Sequence, residues 1–300
     1  MLRHAGPHMR MSKTLIAVAV TLSPQWTSAL VGAGGQDCAE FIFTNGFDRP
    51  DPVMAFATSY GYFYRFDILN PETVEVVSSS HITAFKLDFI GDDFSRAYGI
   101  DAFGVMFRTF AAIDTATGVI TPIGISDPSA DDDESLGNGR WSGFKYDNTS
   151  GIAYATANNC SIDSGHLYTI DMLTGASTVV GPLTGMGCGA SAIAISATGA
   201  MYGLDRGSNT LFAIDKLTGI TSPIGYTGFP TTYIHDIEFD DATGVLYYAG
   251  WNRETNIDDE LRTFDLNTGE TTLVGVIGTE RQHIVGLAIE TRACPEVTSS

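Results

Sequence analysis

Apolar and polar positions alternate along this chain with a period of two, over short runs broken by Gly-rich turns. No stretch keeps a helical period. The runs at 62–66 (YFYRF), 105–113 (VMFRTFAAI), 166–170 (HLYTI), 210–214 (TLFAI) and 260–264 (ELRTF) therefore predict strands. Each is followed by a related turn. Four copies start at Asp114, Asp171, Asp215 and Asp265 and read Asp-x-x-Thr-Gly, and a decayed copy starts at Asp67 (DILNPETVEVV). The Asp side chain can accept from the turn's N–H groups while Gly takes a positive φ, so these aspartates read as structural.

Successive aspartates are 47, 57, 44 and 50 residues apart. Each unit carries two more strands upstream, such as 201–204 (MYGL) and an opening strand such as 192–196 (AIAIS). Four short strands in 40–50 residues is the pattern of a β-propeller blade. The expected fold is all-β, a five-bladed propeller of four-stranded blades. Residues 53–79 supply only three strands, and 283–290 is an opening strand without a unit. Pairing them closes the ring through a 3+1 seam between the two ends of the chain. Residues 37–48 (DCAEFIFTNGFD) are a further candidate edge strand.

The ends divide as 1–33, a leader; 34–52, an N-terminal segment; 53–294, the propeller; and 295–300, a tail. Arg3, Arg10 and Lys13 precede an apolar run at 14–22, with small residues at Ser28, Ala29, Gly32 and Ala33. That is the layout of a secretory signal peptide, whose start is Met1, Met9 or Met11, and the run is too short to span a bilayer. The expected location is secreted or periplasmic. In an oxidising compartment four cysteines predict two disulfides, of which Cys38–Cys294 with Cys160–Cys188 is the simplest of three pairings.

The 300 residues hold 35 Asp+Glu against 16 Lys+Arg, a net charge of -19. This acidic balance excludes nucleic-acid phosphate as a partner, since no basic footprint exists. The expected partner is an extracellular ligand or glycan, met by a monomer.

The unit at 201–248 (MYGLDRGSNTLFAIDKLTGITSPIG, then DIEFDDATGVLYY) resembles the YVTN-type repeat of secreted bacterial propellers, and it looks like the repeat of quinoprotein propellers. The resemblance covers about 53–290 and implies an exported propeller. Both the YVTN tetrapeptide and the tryptophan that follows the quinoprotein turn are absent, so it implies a fold and no reaction.

Aligning the opening strands places His81, Arg140, Gly189, Tyr233 and His283 in one ring at the channel mouth, with Thr83, Ser142, Ser191, His235 and Val285 next inward. His81, His235 and His283 could bind a transition metal such as zinc. Arg140 would then stabilise negative charge and Tyr233 act as acid or base, giving a hydrolase or lyase. Alternatively the histidines pack between blades, and Arg140, Trp141, Tyr233 and His166 form an aromatic-polar surface for a small molecule, glycan or protein. A cell-surface structural role is the third alternative. The acidic loops Asp131-Asp132-Asp133-Glu134 and 252–260 offer oxygens to calcium. Acids at the far ends of the opening strands (Asp88, Asp147, Asp240 and Glu290, with Ser196 in the fourth blade) read as turn caps.

Overall fold

In the computed structural model, residues 52–291 are described apart from 83–84, 103–107, 129–139, 160–163, 188, 233–234, 255–258 and 279–282; for 80–82, 159 and 164 the backbone alone is described. Twenty strands form five four-stranded antiparallel sheets. Blade one begins with β1 (Met54–Thr58), β2 (Gly61–Asp67) and β3 (Asn70–Ile82). Blade two is β4 (Phe85–Ile90), β5 (Asp93–Asp101), β6 (Thr109–Asp114) and β7 (Ile120–Ile125). Blade three is β8 (Arg140–Asp147), β9 (Ile152–Asn159), β10 (Ser164–Ile170) and β11 (Ser177–Pro182). Blade four is β12 (Ala192–Ile195), β13 (Met201–Asp205), β14 (Thr210–Ile214) and β15 (Thr221–Tyr226). Blade five is β16 (His235–Asp240), β17 (Val245–Trp251), β18 (Asp259–Phe264) and β19 (Thr271–Val276). The last strand, β20 (Gly286–Ile289), returns to blade one.

The seam is as expected. β20 pairs with β1 in the register Ala55–Ile289, Phe56–Ala288, Ala57–Leu287 and Thr58–Gly286. The Glu290 N–H donates to the Met54 carbonyl and the Val285 N–H to Thr58, at 2.8 Å each. The innermost strands β4, β8, β12, β16 and β20 form a closed ring. They lie against neighbours on both faces, which is why β12 (AIAI) and β20 (GLAI) are buried throughout. The outermost strands alternate with solvent, and Pro122 and Pro223 in two of them block further pairing.

The apolar core is split into five wedges between consecutive sheets. Phe110, Trp141, Phe144 and Tyr168 fill the wedge between blades two and three. Ile237, Phe239, Leu211 and Tyr248 fill the one between four and five. No apolar cluster occupies the axis among the described residues.

A repeated joint links the rims. In blades two to five the outer strand carries a bulge, so that Ile123, Val180, Ile224 and Val274 have no opposite partner. The next residue is glycine, and it sits against the following blade. A Cβ on Gly124 would come within 1.8 Å of the Thr174 carbonyl, on Gly181 within 2.2 Å of Thr218, and on Gly225 within 1.8 Å of Thr268. On Gly275 it would meet the Pro71 ring at 2.9 Å. The Thr-Gly turn and the outer-strand glycine recur together because each is the other's seat.

Candidate functional site

The axis is filled by charge. Lys86 of β4 donates through Nζ to the His235 carbonyl (2.6 Å) and the Ser191 carbonyl (3.3 Å), with Asp236 Oδ1 at 3.5 Å. Lys145 of β8 donates to the Leu87 and Leu287 carbonyls (2.7 and 2.8 Å) and to Glu238 Oε2 at 2.6 Å, with Asp236 Oδ2 at 3.6 Å. Asp236 also accepts from Leu287 N–H. Lys145 thus has three hydrogen-bond acceptors for its three protons, and Lys86 has two with Asp236 Oδ1 as a looser ion-pair contact.

Both lysines and Asp236 are buried, and so is Glu238. Burial pulls Lys86 below the usual lysine range. Burial opposes the charge of Lys145 too, but Asp236, Glu238 and Asp88 outweigh it and hold that ammonium above its ordinary value. Sequence reading passed over both lysines. Their signal is a Lys inside an otherwise apolar opening strand, at FKLDF and FKYD of consecutive blades.

Of the expected second ring, Ser142, Ser191 and His235 lie around this network, while Thr83 lies outside the described residues. Ser142 Oγ donates to the Ala190 carbonyl of the next unit at 2.6 Å, and Ser191 Oγ meets His235 Nε2 at 3.0 Å. His235 is fully buried with its ring 5.3 Å from that of Tyr248. Burial, and Lys86 after it, pushes its pKa well down, so the imidazole is neutral. His235 therefore occupies the place that packing between blades gives it. His283 precedes β20, with φ 55°; its N–H donates to Asp259 Oδ2 of blade five at 2.5 Å.

Arg140, Trp141 and His166 gather at one end of blade three. Arg140 pairs with Asn158, and Trp141 and His166 both lie opposite Ala157. Arg140 is exposed and His166 partly so. Trp141 is 2% exposed; its Nε1–H donates to the Ser126 carbonyl and its ring meets Tyr168 edge-on. The indole is a core residue. The His81 side chain, Tyr233, Asp131, Asp132, Asp133, Glu134 and all four cysteines (Cys38, Cys160, Cys188, Cys294) lie outside the described residues. Among the described ones no three His, Cys, Asp or Glu side chains converge as metal ligands, and no helix is long and apolar enough to cross a membrane.

Two aromatic residues that the sequence did not single out stand at the same end of the ring. Tyr60 and Tyr62, in and just after the β1–β2 turn, are 46% and 43% exposed. Tyr62 stacks on Tyr64 (5.6 Å, 17°), and Tyr60 meets His283 edge-on at 6.2 Å. The described parts of the connections into β8, β16 and β20, residues 126–128, 227–232 and 283–285, lie at this end as well.

The opposite end is closed by tight capped turns. Asp147 accepts from Thr149 and Ser150, Asp240 from Ala242 and Thr243, and Ser196 from the Ala200 N–H. Asp88 departs from this pattern: it accepts from the Tyr146 N–H (2.6 Å) and Phe89 N–H (2.7 Å) and belongs to the axis. A shallow groove of about 550 Å³ between blades three and four also opens here, lined by Ile152, Tyr154, Tyr202 and Leu217 among others.

No family model matches the chain, and no curated protein does. Solved structures do. One is a chain of a nidogen/laminin complex, 13% identical, with a TM-score of 0.51 over 81% of this chain and 99% of that one. Others are TolB from Acinetobacter baumannii (17%, 0.46, over 80% and 67%) and regucalcin, a calcium-binding protein from Agrobacterium tumefaciens (17%, 0.42, over 76% and 74%). The chain is a β-propeller. At these identities the likeness is one of fold, and a propeller hosts many unrelated activities.

Proposed function

We propose that this chain is an exported propeller that binds a sugar-containing ligand at the end of the ring where the innermost strands begin. The observation that supports this reading is the half-exposed pair Tyr60 and Tyr62 beside His283, on the end that also carries Arg140, His166 and the described parts of those connections. Aromatic faces held on a rigid scaffold, flanked by a few polar groups, suit the apolar face and hydroxyl edge of a sugar ring. The axial ion network fills the centre, so contact is made on the rim rather than inside a channel. The expected leader at 1–33 supports export, and the acidic run Asp131–Glu134 offers oxygens to calcium.

The test is binding of the mature chain to an array of neutral and acidic oligosaccharides, followed by titration of the best binder. Tyr60→Ala with Tyr62→Ala weakens that binding at least tenfold while the circular dichroism spectrum is unchanged. Undiminished binding in the double variant, or no glycan bound at all, sinks the reading. Transition metal in the purified protein that His81→Ala removes would favour the hydrolase or lyase instead.

A further inference from the structure

The residue after the aspartate of each repeated turn faces the preceding blade, and in three blades it is apolar. Ile68 is 1% exposed in the wedge between blades five and one. Met172 packs into the wedge between two and three, and Leu266 into the one between four and five. In blade two the place is taken by Thr115, which is buried and donates through Oγ1 to the Phe94 carbonyl at 2.8 Å. Blade four has Lys216 there. An ammonium does not stay in an apolar wedge when a carboxylate is within reach, and Lys216 Nζ turns out to donate to Asp147 of blade three. Gly199 leaves room for this, since a Cβ on it would come within 3.0 Å of that ammonium. The wedge between blades three and four therefore has no plug, and there the groove of about 550 Å³ opens.

Tyr154, Met201 and Ile214 line this groove together with Ile152 and Leu217, which are 38% and 84% exposed. Both ends of the described chain leave at the end of the ring where it opens. The Ile68 N–H donates to the Val53 carbonyl at 3.0 Å, beside the first turn, and the Asp241 N–H to Thr291 Oγ1 at 3.2 Å. Beyond these points lie residues 34–51 and 292–300, and only the first stretch carries aromatic side chains: Phe41, Phe43 and Phe47. In extended backbone, residues two apart share a face, so Phe41 and Phe43 make one apolar side, with Glu40 next to them. In the ring of five, blade one lies across from the boundary between three and four. Residues 43–52, fully extended, span about 33–36 Å, roughly twice the radius of gyration of about 18 Å that a domain of this size has. The segment is long enough to cross.

We propose that the groove between blades three and four is the seat of this chain's own N-terminal segment, with Phe41 and Phe43 in the open wedge and Glu40 facing Lys216. The plug that the fourth repeat lacks is thus supplied from outside the repeat. Charge agrees with this placement: an ammonium has three protons to give, Asp147 takes one, and the Lys216 side chain is 20% exposed at the groove's edge. A groove of this volume suits a few side chains of an extended segment rather than the face of a folded partner. The segment runs as a strap across the closed end of the ring and ties blade one to the boundary opposite it. The end with Tyr60 and Tyr62 stays open.

The test puts the photoreactive residue p-benzoylphenylalanine in place of Phe43 in the mature chain and maps its crosslinks by mass spectrometry. They are expected within 150–154 and 199–217, the two stretches that line the groove. Lys216→Met gives the fourth blade the side chain that the third carries at this place. With the circular dichroism spectrum unchanged, it is expected to cut crosslinking to the groove by about fivefold or more, since a buried methionine competes for the same space. If Lys216→Met does not fold, the crosslink map of the otherwise wild-type chain decides alone. Crosslinks to β3, which would make the segment an edge strand of blade one, overturn the proposal. So do crosslinks to a second copy of the chain, crosslinks to no part of the propeller, or an unchanged yield at the groove in folded Lys216→Met.

Discussion

Ser191 and His235 join blades four and five through a single contact of 3.0 Å, and its direction is fixed. The one proton of Ser191 goes to the Leu204 carbonyl at 2.8 Å, so Ser191 accepts from Nε2–H and the histidine is the Nε2-protonated tautomer. Its role is packing. His235→Ala is expected to cost about 2–3 kcal/mol in urea unfolding, from a cavity under Tyr248 and a lost hydrogen bond. Bound metal, measured by plasma mass spectrometry, is expected to be the same in variant and wild type.

Lys145 carries more of the axis than Lys86, because two carboxylates and two carbonyls depend on it. Lys145→Met leaves Glu238 buried without its cation and Asp236 with Lys86 alone. A loss of about 3–5 kcal/mol is expected by chemical denaturation. Adding Glu238→Gln to it should recover part of that loss, and an additive double variant would show that the two side chains do not act as a pair.

The rim joint predicts a contrast between glycines. At Gly225 an added methyl group runs into the Thr268 carbonyl at 1.8 Å, whereas at Gly187 it meets nothing within 4 Å. Gly225→Ala is expected to cost about 2–4 kcal/mol and Gly187→Ala less than about 0.5 kcal/mol, measured by melting or urea unfolding.

Asp147 is buried beneath its turn, and burial alone would raise its pKa. Lys216, Thr149 and Ser150 bond it instead and hold it well below the carboxylate range. A depressed value gives stability that is present above the unfolded pKa of 3.8 and is lost as pH falls below it. Asp147→Asn should thus cost about 1.5–3 kcal/mol at pH 7. The difference from wild type should shrink in unfolding experiments below pH 4.

The repeat made the architecture readable because its two devices are local in sequence. The Asp-x-x-Thr-Gly turn places Leu173 and Thr174 N–H groups on Asp171 and needs φ 76° at Gly175, and all of this lies within five residues. The seam was equally legible, since a three-strand unit at one end and a spare strand at the other leave one solution. The axis was not. Lys86 reaches carbonyls more than a hundred residues away at Ser191 and His235, and such a contact has no local pattern. Asp88 shows the same limit, for its neighbours along the chain suggest a turn cap while β8 and β16 claim it for the axis. Trp141 looked like a ligand face because its position is at the mouth, yet register turns its ring into the wedge against Tyr168. Tyr60 escaped notice because it lies in a turn outside the repeat, and Tyr62 because the repeat marks it only as a strand position, with nothing local to show that its ring faces solvent.

The rim joints have a mechanical consequence. Glycine seats join blades two to three, three to four, four to five and five to one, but β3 (NPETVEVVSSSHI) has no glycine to receive the turn of blade two. Among the described residues, four clasps serve five boundaries. The molecule is thus a split washer, tied at its hub by Thr58 Oγ1 donating to the Phe85 carbonyl and free of a clasp at its outer edge there. Strain from heat, pulling or a wedge-shaped partner would spread it first along β3, leaving the other four blades to move as one sector.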